Sequence, residues 1–209
     1  MIESKWKVYT DQDLPILLDN LESYKPPYSI ELACGSDLMA PHSKWIHSDC
    51  AIHETHEGQL HIEMFCYSWN IPLPTESVEH IFAKGFWEHL SYNEAERTLK
   101  EWNRILITGG MITINYPPID HAIHMLTQKH ADWQWFLRAL YGWQFQERDT
   151  HRSGWTEDWI RQFVAKFPEF EIQEIFWGDS RATDGIPLRA EFDPWATVGA
   201  HQWAIIRKK

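Results

Sequence analysis

The 209-residue chain predicts an α/β domain whose doubly wound sheet is mostly parallel. One observation is the stretch Tyr28 to Asp49, YSIELACGSDLMAPHSKWIHSD. There Ser29 to Ala33 reads as a buried strand, Cys34-Gly35-Ser36 as a turn of small residues, and Trp45 to Ser48 as a short second strand closed by Asp49. Small turn residues let the backbone come close to a ligand. Asp49 lies eighteen residues after Glu31, where a carboxylate accepts hydrogen bonds from ribose hydroxyls, so the stretch predicts a site for an adenosine-bearing cofactor. The other observation is the run from Ser77 to Tyr116. Its strand, capped helix, glycine pair and strand follow in the order of a right-handed crossover unit.

The remaining elements follow in order. Asp11 to Leu21 spaces Leu14, Ile16, Leu17, Leu18 and Leu21 as an opening helix, which Lys25-Pro26-Pro27 ends. After Gly35, Pro41 leaves room only for an abbreviated helix. Ile62 to Phe65 reads as a third small strand, Asn70 to Pro74 as an extended loop, and Ser77 to Ala83 as the central parallel strand. Ser91 with Glu94 is a capping box that opens a helix, and Ala95, Leu99, Trp102, Ile105 and Leu106 follow at helical spacing. Gly109-Gly110 is expected to stop that helix before a strand over Met111 to Tyr116. An aromatic helical region covers Ile119 to Phe145, and Thr156 caps a helix that runs to Phe167. Glu171 to Trp177 and His201 to Arg207 read as strands, with a loop over Gly178 to Ala200.

Hydrophobic residues make up 44 % and charged residues 23 %, the balance of a globular chain able to bury a full core. Thirteen tryptophans exceed what such a balance needs. Their large amphipathic rings serve either core filling or aromatic-lined pockets and partner surfaces. A formal net charge of −11 argues against a phosphate-backbone partner, because such binding rests on clustered Lys and Arg, so nucleic acid is not expected. Cys34, Cys50 and Cys66 are odd in number and lack a CxxC pair, which indicates no disulfide framework and fits a reducing, cytoplasmic setting. Neither a signal-like apolar run nor a stretch of about eighteen apolar residues occurs, so export and a membrane span are not expected. His42, His47, His53, His56 and His61 cluster beside Cys50 and Cys66, and imidazole and thiolate are metal ligands. No pair has CxxC or HExxH spacing, so these are read as surface polar residues and no metal site is expected. His121 and His124, three apart on a helix, are read the same way.

Taken in order, these segments resemble the class I S-adenosylmethionine-dependent methyltransferases, in particular the small methyltransferase-11-like group. ELACGS is similar to that family's first motif and WIHSD to its W-I-N-V-D second strand. IPLPTESVEHIFAKGFWEHLS resembles its L-P-F-P-D segment with the later E-H-L, and EWNRILITGGMITINYP its E-x-x-R-V-L-K-P-G-G segment. LYGWQ and DTHRSGWTEDWI resemble its Y-G-x-Q and H-x-x-G-[FW]-[ST] segments, so the resemblance spans Tyr28 to Phe176. It implies a Rossmann-like fold with an antiparallel final strand and one domain over residues 1–209. A helical insertion at about 119–155 would cap the acceptor. The implied cofactor is S-adenosylmethionine, with S-adenosylhomocysteine as product.

The resemblance also implies that Glu31, Ala33, Cys34 and Gly35 face the methionine and ribose parts of the cofactor, with Asp49 on the ribose. Lys84, Gly85 and Phe86 follow the central strand at its carboxyl end, where open α/β sheets bind ligands. Phe86 and Trp87 offer aromatic faces to the sulfonium, a contact worth roughly 0.5–2 kcal/mol when desolvated. Two departures stand out. The family carries glycine where this chain has Ala33 and Asp37, and an acidic residue near the adenine where this chain reads Phe65-Cys66-Tyr67-Ser68-Trp69-Asn70. Ser68 or Asn70 is then expected to supply a neutral hydrogen bond, and Trp69 or Tyr67 a stacking face.

Methyl transfer is an in-line displacement, so alignment and exclusion of water matter most. A hydroxyl or acid acceptor also needs a general base, for which His89 and His151 are the candidates; the other reading of His89 is a helix-start histidine bonded to backbone. Tyr141, Gln144 and Trp155 are expected to line the acceptor pocket. The sequence therefore reads as a methyltransferase acting on a small-molecule acceptor such as a sugar or glycan precursor. The alternative is a methyltransferase-fold binding module with weak or no catalysis, acting through a protein partner. A GxGxxG dinucleotide site is disfavoured by Asp37 and Pro41.

Overall fold

A computed structural model describes residues 7–8, 15–17, 21, 23–35, 44–52, 62–144, 149–183 and 186–209. Strands β1 (Lys7–Val8) and β5 (Ala51–Ile52) form a separate antiparallel pair. The main sheet, among the described residues, contains β2 (Ile16–Leu17), β3 (Tyr28–Leu32), β4 (Trp45–Asp49), β6 (Met64–Phe65), β7 (Val78–Ala83), β8 (Leu106–Tyr116), β9 (Phe170–Thr183), β10 (Ile186–Arg189) and β11 (His201–Lys208). Its order is β10-β9-β11-β8-β7-β3-β4-β6-β2. The five strands from β6 to β8 in that order run parallel. The last strand in the chain, β11, inserts antiparallel between β8 and β9, as expected.

Burial follows from this layering. A parallel strand covered on both faces reads as a nearly continuous apolar run, and Ile30, Leu32, Ile46, Ile81, Phe82 and Ala83 are all buried. Helix α1 (Tyr92–Ile105) crosses from β7 to β8 and turns Ala95, Thr98, Leu99, Trp102 and Ile105 inward. Its start is secured as the sequence predicts. Glu94 N donates to Ser91 Oγ, and Ser91 N donates to Glu94 Oε2 at 2.8 Å. A cap of this kind contributes about 1 kcal/mol. Helices α2 (Ile119–Thr127) and α3 (Trp133–Tyr141) lie in the aromatic region, and α4 (Glu157–Val164) starts on its predicted cap, Thr156.

Four expectations are corrected. The opening helix falls largely outside the described residues, and at Ile16 and Leu17 the chain is instead extended, pairing antiparallel with Phe65 and Met64. Gly109 and Gly110 do not end α1. Leu106 is already extended, and the glycines lie inside β8, where a step from Val78 to His80 on β7 matches a step from Leu106 to Met111 on β8. That irregularity needs Gly109 at φ +81, a conformation that costs glycine little. The predicted loop after Gly178 is instead the end of β9, the β10 hairpin strand and a 3-10 turn over Pro194–Ala196. Finally, His47 is not a surface residue, being fully buried on β4. His42, His53, His56 and His61, with Asp37 and Pro41, lie outside the described residues.

The tryptophans divide between interior and surface. Trp87, Trp102, Trp155 and Trp203 are completely buried, whereas Trp133 and Trp143 are 66 % and 58 % exposed. The Trp87 ring packs on Trp102 and Trp155 with centroids 5.7 Å from each. This aromatic block joins α1, α4 and the segment after β7 into one core. His121 and His124 do not form a metal pair: their Nε2 atoms meet the carbonyls of Pro194 and Trp195, which holds the 3-10 turn against α2.

Candidate active site

The carboxyl ends of the adjoining parallel strands lie level. Leu32 of β3 is paired with Ser48 of β4 on one side and Ala83 of β7 on the other, and Ala83 is paired with Ile114 of β8. Immediately beyond these residues the backbone turns at Gly35 and Gly85, both at φ +57. Among the described residues, a Cβ built at either glycine meets no atom within 4 Å, so nothing described there fills the space over either turn. Ala33 also has a positive φ, +52, in the region that favours glycine. The alanine fits a glycine position only at a cost in backbone strain.

The turns are held by their neighbours. Gly35 N donates to Asp49 Oδ2 at 3.0 Å, and Cys34 N donates to the Ser48 carbonyl. Gly85 N donates to Asn115 Oδ1 at 2.6 Å. Asn115 is 1 % exposed and its Nδ2 has no partner, which leaves a donor at the strand end to be satisfied. Cys34 is buried, and burial, with Asp49 and Glu31 nearby, pushes its thiol well above the usual range. Its contribution at the turn is therefore backbone and packing rather than a reactive thiolate.

A buried charged cluster underlies the first turn, which sequence reasoning missed. His47 Nδ1 lies 3.1 Å from Glu63 Oε2 and its Nε2 lies 3.4 Å from Glu31 Oε2; His47 N also donates to Glu63 Oε2 at 2.8 Å. Tyr24 donates to Glu63 Oε1, and burial together with that carboxylate pushes the phenol up to about 12. Carboxylates at both ring nitrogens call for two donors, which favours imidazolium. Glu31 is only 2 % exposed, and its carboxylate faces the His47 ring across the paired strands β3 and β4. The alternation of Glu31 and His47 with apolar residues was the available signal, since register partners on paired strands share a face.

Beyond Gly85 the chain makes a 3-10 turn over Trp87–His89. Residues 150–155 are laid against it. Arg152 N and Ser153 N both donate to the Glu88 carbonyl, Tyr92 Oη donates to the Gly154 carbonyl, and Arg152 pairs with Glu94. The other edge of this segment docks on the end of α3, where His151 N donates to the Tyr141 carbonyl. His151 and His89 consequently meet edge to face with ring centroids 5.0 Å apart. His89 Nδ1 lies 3.2 Å from the Thr150 carbonyl and His151 Nδ1 lies 2.9 Å from the Ala139 carbonyl. The Glu88 carboxyl completes the group; burial raises it to about 6, opposed by the nearby His151. Burial lowers His151, against the pull of Glu88.

Some predicted residues sit elsewhere. Trp155 is fully buried against Trp87 and Phe163, so its ring fills the core and does not line a pocket. Phe86 is half-buried and packs toward Trp102 with the core. Ser68 is buried and its hydroxyl bonds Thr98 on α1 at 2.8 Å, which spends it on packing that helix. Trp69 stacks on Tyr67, with interplanar angle 2°, and the Arg97 guanidinium lies over its ring, 4.9 Å from the centroid. Tyr141 and Gln144 are exposed at the end of α3, next to the segment that carries His151. Lys84 is half-buried between Ala83 and Gly85.

The strand order, with an antiparallel strand inserted beside five parallel ones, defines the class I S-adenosylmethionine-dependent methyltransferase fold. Residues 31–114 match the family described as a methyltransferase domain, a match that together with the fold supports S-adenosylmethionine as the cofactor. Among solved structures, a SAM-dependent methyltransferase from Archaeoglobus fulgidus is 14 % identical with a TM-score of 0.53, covering 87 % of this chain and 86 % of that one. A SAM-dependent methyltransferase from Methanosarcina mazei is 12 % identical with a TM-score of 0.50, covering 92 % and 98 %. At these identities the likeness is one of fold. No curated protein sequence matches the chain. Among the described residues no helix is long and apolar enough to cross a membrane.

Proposed function

We propose that the protein transfers a methyl group from S-adenosylmethionine to a small-molecule acceptor held between the β7 end and a cap formed by residues 119–155. The observation that carries this reading is the pair of open glycine turns at the ends of paired strands, Gly35 and Gly85, with Asp49 bonded to the first. A ligand can press on the backbone at both, and a carboxylate stands beside it. The bound cofactor supplies a methyl group on a positively charged sulfur. Asp49 accepts from ribose hydroxyls, a role open to a carboxylate because its two oxygens accept only. Ala33, Cys34 and Gly35 present backbone to the cofactor, while Lys84 and Gly85 border its reacting end. Trp69, stacked on Tyr67, offers the ring edge at the adenine side in place of an acid. The net charge of −11 supports an acceptor other than nucleic acid, and sugars and glycan precursors head the screen.

His89 and His151 act on the acceptor. They stand where chain that follows Gly85 meets the segment after α3, so the acceptor oxygen would lie between them and the cofactor turn. Tyr141 and Gln144, exposed beside His151, contact the acceptor. The test is calorimetric titration with S-adenosylmethionine, S-adenosylhomocysteine and NAD. Micromolar binding of the first two and none of NAD is the expected result. No heat with any of the three, from folded protein, would overturn it.

A further inference from the structure

Glu88, His89 and His151 bring one carboxylate and two imidazoles together, with a ligand atom of each within 4.8 Å of the others. Both Nδ1 atoms face carbonyl oxygens. A carbonyl only accepts, so the proton of each neutral ring sits on Nδ1 and the lone pair on Nε2. Bonds of this kind orient metal-binding histidines from behind. The third group gives an independent indication. Glu88 is 5 % exposed and its Oε2 has no hydrogen-bond partner among the described residues, so the carboxylate that joins the cluster carries a buried oxygen without a donor. A cation would serve this oxygen and the two imidazole nitrogens, which already lie within reach of one another, at the same time.

We propose that Glu88, His89 and His151 bind one divalent transition-metal ion of the zinc type, with a remaining coordination position open to an oxygen of the acceptor. Two imidazoles and a carboxylate suit zinc or cobalt better than magnesium or calcium, which take oxygen ligands. Three protein ligands leave a position free, as in catalytic rather than structural zinc sites. Ligand atoms around a tetrahedral zinc with ~2.0 Å bonds lie roughly 3.3 Å apart, so binding draws the three ligand atoms closer together. The ion would sit close to the methyl donor, because Glu88 is three residues beyond Gly85 and a chain of that length spans at most ~11 Å.

The inference rests on the methyltransferase reading and deepens it. The acceptor becomes a hydroxyl compound, best with a second oxygen that can chelate. Its hydroxyl proton passes to solvent, as coordination lowers the hydroxyl pKa. The oxygen electron pair then forms the new O–C bond to the methyl carbon, and the C–S bond breaks with its pair left on sulfur. His89 and His151 serve as ligands in this scheme and not as bases.

The test is titration of chelator-treated full chain with zinc, followed by calorimetry, and with cobalt, followed by visible absorbance. Expected are one equivalent bound per chain, a zinc-dependent rise in Tm, and at least tenfold weaker binding in Glu88→Gln, His89→Ala and His151→Ala. Glu88→Gln removes charge with little change of shape, so it reports even if a histidine variant fails to fold. Absence of stoichiometric binding to the wild type would overturn the site. So would equal binding to all folded variants, which would place the ion elsewhere, for example on the histidine-rich stretch 42–61. S-Adenosylmethionine affinity measured on the same samples separates the two claims. Zinc bound at these residues without cofactor binding would sink the methyltransferase reading and leave the metal site standing.

Discussion

The backbone N–H of Gly35 donates to Asp49 Oδ2 at 3.0 Å, which ties the turn after β3 to the end of β4. One carboxylate thus both shapes the turn and stands beside the space above it. Replacing Asp49 with Ala removes the turn anchor together with the proposed ribose acceptor. S-Adenosylmethionine binding is expected to weaken by about 1–3 kcal/mol in calorimetry. Asp49→Asn keeps an acceptor oxygen and should lose less. Unchanged affinity in a folded alanine variant removes Asp49 from the site.

His47→Ala should destabilise the protein strongly. The substitution removes the imidazole that lies between the buried carboxylates of Glu31 and Glu63. Breaking a buried ion pair by removing one partner costs about 3–5 kcal/mol. Urea unfolding monitored by tryptophan fluorescence measures the change. A loss below about 1 kcal/mol would mean that the carboxylates are neutral or otherwise compensated.

Gly142 ends α3 at φ +77, and a Cβ there would lie 1.7 Å from the Asp149 carbonyl oxygen. Gly142→Ala must therefore push residues 149–151 off the helix end and move His151. Turnover in an acceptor screen is expected to fall at least tenfold, with S-adenosylmethionine affinity nearly intact, since the cofactor turns lie on other elements. Equal loss of both would show that the damage is global.

His80 carries a pH dependence of stability. Burial lowers it to about 4 in the folded protein, where its Nε2 meets Thr113 Oγ1 at 2.8 Å. Between about pH 6.5 and 4 the unfolded chain holds a proton at this residue that the folded chain does not, so stability falls as pH falls through that window. The contribution is complete above the unfolded value and the loss reaches roughly 3 kcal/mol near pH 4. His80→Gln should flatten this part of the profile of urea midpoint against pH. An equally steep profile in the variant would assign the acid sensitivity to other groups.

Much of the fold was legible because its signals are local. Ser91 and Glu94 are three residues apart, and the capping box they predict is present. The five parallel strands were marked by short apolar runs between turn residues. Ile16 and Leu17 misled because a leucine-rich run satisfies helical spacing, whereas pairing with Phe65 and Met64 is a long-range event that periodicity does not encode. Gly109 and Gly110 misled similarly: the same glycine pair ends a helix or makes an irregularity in a strand, depending on whether β7 lies alongside.

The candidate site divides along the same line. Gly35, Gly85 and Asp49 were visible in the sequence because each sits directly after a recognisable strand, and strand ends in a parallel sheet converge by topology alone. Trp155 and Ser68 look like ligand contacts in a linear reading; only packing decides that one fills the aromatic core and the other holds Thr98. The sequence by itself determined the order of the parallel strands and of the turns that follow them, since these follow from local propensity and chain order. Tertiary structure alone decided that His47 lies between two buried carboxylates and that His151 reaches His89 and Glu88. Such contacts join residues far apart in the chain, and they depend on strand register and on how one segment docks against another.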